Sequence, residues 1–290
     1  MSGADPRAIW AVAATLLGTL LPQGWQTTAL ARRPAPGVRA AGATLDSRET
    51  LAPGGPRHMV LVELFTSQGC SSCPPADQLI AQIGEETPGA VVPLSFHVDY
   101  WNNGGWTDPF SQKDWSARQV YYAKALGLGD RIYTPQAVVD GRKELVGSDE
   151  RSLRGAIAQA QARPAGTISI HLEPPKQLKV AVTANIDLPD SLRDRRLDLM
   201  LAEFEMGLVT SVGKGENGGR TLHNEYVVRQ LERCAKLAAG GPARTENSGT
   251  MTLEKDWNQR RLGIAAFLQD PKTLEIYGAT SQVLASSPRN

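Results

Sequence analysis

Apolar residues along this chain follow two rhythms, and the change from one to the other falls near residue 165. In the first stretch, short continuous runs of Val, Leu and Phe alternate with helix-period patterns. Residues 59–65 and 91–98 are such runs, and strands buried on both faces read this way. Between them Ala76, Leu79, Ile80 and Ile83 recur at helical spacing, which predicts a helix over residues 73–86. Strand, helix, strand at this length implies a parallel pair with a crossover helix. A second helix is expected from a Ser111 cap, with Asp114 three residues on as in a capping box. It carries Trp115, Gln119, Tyr122 and Leu126 and stops at Gly127. Asp140-Gly141 marks a hairpin that returns through residues 143–146. Ser148 then caps a closing helix with Leu153, Ile157 and Ala160 on one face.

Beyond residue 165, strict alternation takes over. Residues 167–172, 178–186 and 197–204 read as half-buried strands, with later strands at 262–268 and 274–279. Residues 224–238 offer a helical set (Val227, Leu231, Cys234, Leu237), yet Tyr226-Val227-Val228 and the neighbouring strands favour a strand. The succession of short strands predicts a mostly β, sandwich-like domain over residues 166–290. At the other end, Arg7 precedes an apolar run at 8–21, too short for a comfortable membrane span, and Ala29-Leu30-Ala31 offers a cleavage site. Residues 1–31 are therefore expected to be a signal peptide, an uncleaved anchor being the alternative. Residues 32–57, rich in Pro, Gly, Ala and Arg without periodicity, are expected to be a disordered linker. The expected location is secreted or periplasmic, with no stable membrane span after cleavage, where disulfides persist.

Lys and Arg number 31 against 30 Asp and Glu, a net charge of +1. That balance gives no electrostatic case for nucleic acid or for an anionic membrane surface as a partner. The chemistry concentrates in Cys70-Ser71-Ser72-Cys73, between the first strand and Pro74-Pro75 at the start of a helix. A helix N-terminus stabilises a thiolate, the nucleophilic form of cysteine. This spacing lets the second sulfur resolve a mixed disulfide, so Cys70 is the candidate nucleophile and Cys73 the resolving thiol. The alternative is a small structural disulfide. Cys234 is left over and is expected as a buried small hydrophobe.

His97 and Asp99 end the second strand on the side where the dithiol should emerge. No cofactor or metal is expected, but Cys70, Cys73 and His97 form an alternative donor set for copper or zinc. The plainer reading of His97 is a hydrogen-bonded strand-end histidine. Tyr100, Trp101, Trp106, Phe110 and Trp115 follow at once. They are either a satellite of the core or an apolar wall beside Cys70, with Tyr100, Trp101 and Trp106 as candidate substrate contacts. Residues 213–220 superficially resemble a phosphate loop, but the Gly-Lys-Ser/Thr ending is missing and a hairpin turn is expected.

With these residues in place, residues 58–165 resemble a thioredoxin-like domain. The resemblance implies that the Thr134–Pro135 bond is cis, that Pro135 packs beside the sulfurs and shapes the substrate groove, and that Glu63 is a buried acid taking the proton of the resolving thiol. More closely, the segments Glu63 to Asp77, His97 to Trp101 and Tyr133 to Gln136 are similar to a family of secreted bacterial proteins known as domain-of-unknown-function family 1223. The likeness runs from His58 onward and includes Gly215 to Gly218 and Val227 to Arg229. It implies an α/β thioredoxin-like domain followed by the sandwich-like one. The function expected is that of an exported thiol–disulfide oxidoreductase acting on protein thiols or disulfides, with an unidentified redox partner. A copper- or zinc-delivery protein and a non-catalytic interaction protein are the alternatives. Gly69 stands where thioredoxins carry an aromatic, and Ser71-Ser72 replaces their Gly-Pro, so the direction of the redox chemistry stays open.

Overall fold

A computed structural model describes residues 58–284; the signal peptide and linker expected at 1–31 and 32–57 lie outside the described residues. The chain enters through β1 (Val60–Thr66), α1 (Pro74–Glu86) and β2 (Val91–His97). Both strands are buried along their whole length, and they pair in parallel with Thr66 opposite His97. Next come α2 (Lys113–Ala125), the hairpin β3 (Gln136–Val139) and β4 (Lys143–Val146), and α3 (Glu150–Gln161). The hairpin turns on Asp140 and Gly141, both at positive φ (46° and 65°), the geometry that selects Asp-Gly between two strands.

The remaining elements are β5 (Thr167–Leu172), β6 (Lys179–Asp187), α4 (Asp190–Arg193), β7 (Leu197–Glu205), β8 (Leu208–Ser211), β9 (Thr221–Asn224), β10 (Val227–Leu237), β11 (Arg244–Thr252), β12 (Leu262–Gln269) and β13 (Ile276–Val283). Eight of the strands form one mixed sheet in the order β13-β12-β7-β10-β2-β1-β3-β4. The sheet crosses the expected boundary at 165/166 where β10 meets β2, through the Val227–Ser95 rung and the Ser95 N–H to Tyr226 carbonyl bond of 2.8 Å. A separate three-stranded sheet, β11-β6-β5, packs on the other half. There Val180, Val182 and Ile186 meet Leu199, Leu201 and Ile264 in a dry layer, the sheet-on-sheet packing that the alternating pattern predicts.

Strand alternation sorts the rest of the core. Val60, Val62 and Leu64 of β1 pack with Leu79, Ile80 and Ile83 of α1 and Leu153 and Ile157 of α3. Leu61 and Phe65, one step out of phase, pack with Trp115 and Tyr122 of α2 and with Phe204 and Phe267. α1 and α3 thus cover one face of β1 and α2 the other.

Two caps differ from expectation by one residue. Ser111 is occupied in donating to the Asp108 carbonyl at 2.8 Å, and Gln112 takes the cap of α2. Asp149, not Ser148, caps α3 by accepting from the Ser152 N–H at 3.1 Å. The segment 224–238 is a strand, as its context implied. Cys234 is half-buried rather than fully buried, packed on the core of the two facing sheets, and its surroundings push the thiol pKa up.

Candidate functional site

β1 ends in Thr66-Ser67-Gln68-Gly69, a tight turn that delivers Cys70 to the mouth of α1. Cys73 is the N-cap residue of α1, and Pro74 and Pro75 follow at positions that need no N–H partner. Cys70 and Cys73 are joined in a disulfide, with Cα atoms 5.5 Å apart. Both cysteines have 0% exposure, although Ser71 and Ser72 between them are exposed.

The turn fits because Gly69 has no side chain. A Cβ there would come within 3.1 Å of the Trp101 Cβ, so Trp101 occupies the space that an aromatic before the first cysteine would need. The Trp101 indole N–H donates to Thr134 Oγ1 at 2.7 Å, and the Thr134–Pro135 peptide is cis. A single tryptophan therefore bridges the residue before Cys70 and the residue before the cis-proline. Pro135 itself is buried and approaches the start of α1. A Cβ on Gly147 would meet both Ala76 Cβ and Pro135 Cβ at 3.3 Å. Dithiol turn, Trp101, Thr134 and Pro135 are thus brought together.

Glu63 is not part of that group. It lies between Leu61 and Phe65 on the α2 face of β1, opposite to α1. Its carboxylate accepts from Arg118 Nε at 2.7 Å and from the Tyr122 hydroxyl. Arg118 is itself enclosed by Phe96, Tyr122 and Phe267, and its second guanidinium arm reaches Gln269 at 3.3 Å. Glu63 is a structural anion of the α2 layer, because alternation along β1 turns it away from the sulfurs.

A different buried carboxyl belongs to α1 itself. Asp77 is one helical turn after Cys73 on the same face of α1, is 7% exposed, and accepts from Thr66 Oγ1 at 2.7 Å. Burial is the main cause that raises its pKa to about 6, with the nearby His97 charge and the Thr66 bond pulling the other way. Thr66 and His97 are opposite one another in the β1–β2 register and point to the α1 side. The His97 Nδ1 pairs with Asp108 Oδ2 at 2.7 Å, both side chains fully buried. Its Nε2 is buried and has no hydrogen-bond partner. Burial by itself lowers the His97 pKa, but Asp108 and Asp77 overcome it and raise it. Burial likewise works to raise Asp108, but the His97 charge and bonds from His97 and the Gln68 and Phe110 N–H groups hold it down. Sequence reasoning missed Asp77 and Asp108. The Cys-x-x-x-Asp spacing in a helix start was a readable signal for the first, whereas Asp108 arrives from a loop.

For the copper or zinc alternative, the two sulfurs are committed to each other and one imidazole nitrogen to Asp108. No group of three or more His, Cys, Asp or Glu side chains is gathered to hold a metal ion among the described residues. The aromatic cluster divides. Trp115 is core, edge-on to Phe96 at 5.1 Å, and Phe110 stands edge-on to His97 at 5.4 Å. The half-buried Tyr100 donates to Gln119, which in turn donates to the Tyr133 carbonyl just before the cis-proline. Trp106 donates to Gln68 Oε1 at 3.2 Å. A groove of about 560 Å³ opens elsewhere, between α2 and β10; of the candidate aromatic wall Trp115 alone lines it, and neither cysteine nor Pro135 does.

Comparison with known proteins gives the kinship. The family model described as protein of unknown function, DUF1223, matches residues 61–269. The chain belongs to that family. No curated protein matches it. A crystal structure of an Agrobacterium tumefaciens protein from a structural genomics programme is 26% identical, with a TM-score of 0.62 over 80% of this chain and 96% of that one. HBP35 of Porphyromonas gingivalis, 15% identical, superposes with a TM-score of 0.57 over 80% of this chain and 76% of its own, a likeness of fold alone. For this DUF1223 chain the site is therefore read from its own atoms. They gather a disulfide, a cis-proline, a near-neutral buried carboxyl and an Asp–His pair at one end of the parallel strands.

Proposed function

We propose that this protein is an exported thiol–disulfide exchange protein whose residues 58–165 form a thioredoxin-like unit. The order β2-β1-β3-β4, with α1 and α3 on one face and α2 on the other, supports that reading of the fold. So does the cis-proline directly before β3. The observation that carries the function is Asp77: a carboxyl poised near pH 6, one turn below a disulfide at a helix mouth.

In the exchange, a partner thiolate attacks Cys70 Sγ and the Cys70–Cys73 bond breaks. Cys73 leaves as a thiolate and takes the proton of the Asp77 carboxyl. A second partner thiol, deprotonated by solvent, attacks the mixed disulfide, and Cys70 departs as a thiolate favoured by the helix N-terminus. The partner is oxidised by two electrons and the protein disulfide is reduced. Run backward, Asp77 takes the proton of the resolving Cys73. His97, held by Asp108, tunes Asp77 through its charge. Trp101 and Pro135 form the floor on which a polypeptide lies.

Insulin reduction and refolding of scrambled ribonuclease, on wild type and Cys70→Ser, test this directly. Turnover by wild type that Cys70→Ser abolishes is expected; inactivity of both in both assays would refute it. A second reading, a structural disulfide in a non-catalytic protein, is favoured by the complete burial of both cysteines. A disulfide that resists reduction until the protein unfolds would establish that reading instead.

A further inference from the structure

The turn that carries the disulfide is held by a segment distant in sequence. The segment between β8 and β9, residues 212–220, crosses over the dithiol turn although it lies some 145 residues away in sequence. Asn217 Nδ2 donates to the Gln68 carbonyl and to the Cys70 carbonyl, both at 2.9 Å. Glu216 Oε2 accepts from the Ser71 N–H at 2.9 Å. Asn217 is completely buried, and the Arg220 guanidinium donates to its Oδ1 at 2.9 Å. That bond turns both amide hydrogens toward the two carbonyls. Below, the Gln68 side chain ties the turn to the same hairpin, donating to Thr210 Oγ1 at 3.0 Å and Asn224 Oδ1 at 2.9 Å.

What the loop satisfies are main-chain groups: two carbonyls and one N–H flanking Cys70. An amide donor and a carboxylate acceptor meeting such groups do what a passing polypeptide backbone does. Opening of the loop is favoured by chain entropy. Four of the eight residues from 213 to 220 are glycine, each losing more backbone freedom on ordering than any other residue. A Cβ at Gly219 would meet nothing within 4 Å, so that position faces open space. At the other end the loop rests on Trp106, whose Cβ lies 3.2 Å from where a Gly215 Cβ would stand.

We propose that residues 213–220 are an internal lid that stands in for polypeptide substrate over the Cys70–Cys73 disulfide. A protein substrate gains access by displacing Asn217 and Glu216 and taking over their hydrogen bonds. The proposal rests on the exchange reading above and names its substrate class, a polypeptide rather than a small thiol.

The test is the rate at which the folded protein's disulfide is reduced by dithiothreitol, trapped with a maleimide and read by mass. Asn217→Ala is expected to accelerate it about tenfold or more, the scale of one or two net hydrogen bonds. Glu216→Ala, on an exposed residue that carries no folding burden, is expected to accelerate it severalfold. Near-ultraviolet circular dichroism confirms that each variant is folded; should Asn217→Ala fail to fold, Glu216→Ala carries the test. Reduction at the wild-type rate in every folded variant overturns the lid. Reduced, unfolded ribonuclease A as the thiol donor tests the stand-in, because a polypeptide takes over the vacated bonds and should reduce the wild-type disulfide faster per thiolate than dithiothreitol does. An equal or slower rate per thiolate overturns that part. The two readings separate cleanly. Faster dithiothreitol reduction without insulin turnover in any form keeps the lid and removes the exchange function; insulin turnover with unchanged reduction rates does the reverse.

Discussion

Replacing Asp77 with Asn removes a proton-binding group from beneath the disulfide while leaving an oxygen to accept from Thr66. In the folded protein this carboxyl titrates near pH 6, against 3.8 for an unperturbed aspartate. A raised folded pKa means that the native state binds a proton more tightly than the unfolded chain. Stability is then full below pH 4 and falls as pH rises from 4 to 6, beyond which the loss is complete. At about 1.4 kcal/mol for each pH unit, the gap amounts to about 3 kcal/mol. Asp77→Asn should therefore match wild type in urea unfolding at pH 4 and exceed it by up to about 3 kcal/mol at pH 7.5. Paired denaturation curves across that range measure the difference directly. A gain that is flat with pH, or an Asn variant weaker than wild type at pH 7.5, would refute a buried, near-neutral carboxyl here. The same variant should slow thiol–disulfide exchange and erase the pH dependence of its rate near pH 6, which links the stability cost to function.

Glu63→Gln should cost about 3–5 kcal/mol in urea unfolding, because it strands the buried Arg118 charge, yet leave the pH profile of exchange unmoved; a shifted profile would restore Glu63 to the redox site. Gly69→Trp, which installs the aromatic of ordinary thioredoxins, should lose about 1–3 kcal/mol through collision with Trp101, and an undiminished melting temperature would contradict the close approach. Changing both cysteines to alanine opens a very short covalent loop and should cost only about 2 kcal/mol by chain entropy; a loss beyond about 5 kcal/mol in the same denaturation assay would mark the bridge as chiefly structural. Glu203, buried in β7 with neither carboxylate oxygen partnered, has its pKa raised to about 8, chiefly by burial. Glu203→Gln should therefore gain most over wild type above pH 8, and an equal gain at pH 5 would count against that.

The elements whose sequence signal is a one-sided or fully apolar pattern were legible before any coordinates. β1, α1 and β2 follow from their Val, Leu and Ile spacing, and the β3–β4 hairpin from Asp140-Gly141. Caps were misread by one position because serine competes among several local partners: Ser111 is drawn to the Asp108 carbonyl instead of the helix. The hairpin turn at residues 213–220 was legible, but the short strands it joins, β8 and β9, were not, nor was β11. β11 is Arg-Thr-Glu-Asn-Ser-Gly-Thr-Met-Thr, in which only Met251 is fully buried, so its strand character comes from pairing with β6 along nine residues. At the site, Cys70, Cys73, Thr134, Pro135 and Trp101 were visible through motif and resemblance. Asp108 was not, and Asn217, although inside the matching Gly215 to Gly218 stretch, carried no visible role, since each acts through a contact with a residue far away in the chain. Glu63 misled because resemblance gives a position along a strand but not the face on which its side chain falls.

The β10–β2 seam has a practical corollary. Severing the chain near residue 165 would strip β2 of its neighbour and take the Asn217 cover off the sulfurs in the same stroke. It would also remove Phe267 and Gln269, which hold Arg118 in place. A fragment ending there would carry a bare strand margin and an uncovered cysteine pair, a combination that invites self-association. The polypeptide behind residue 165 is thus the guardian of the residues before it, and neither half should be expected to behave when made alone.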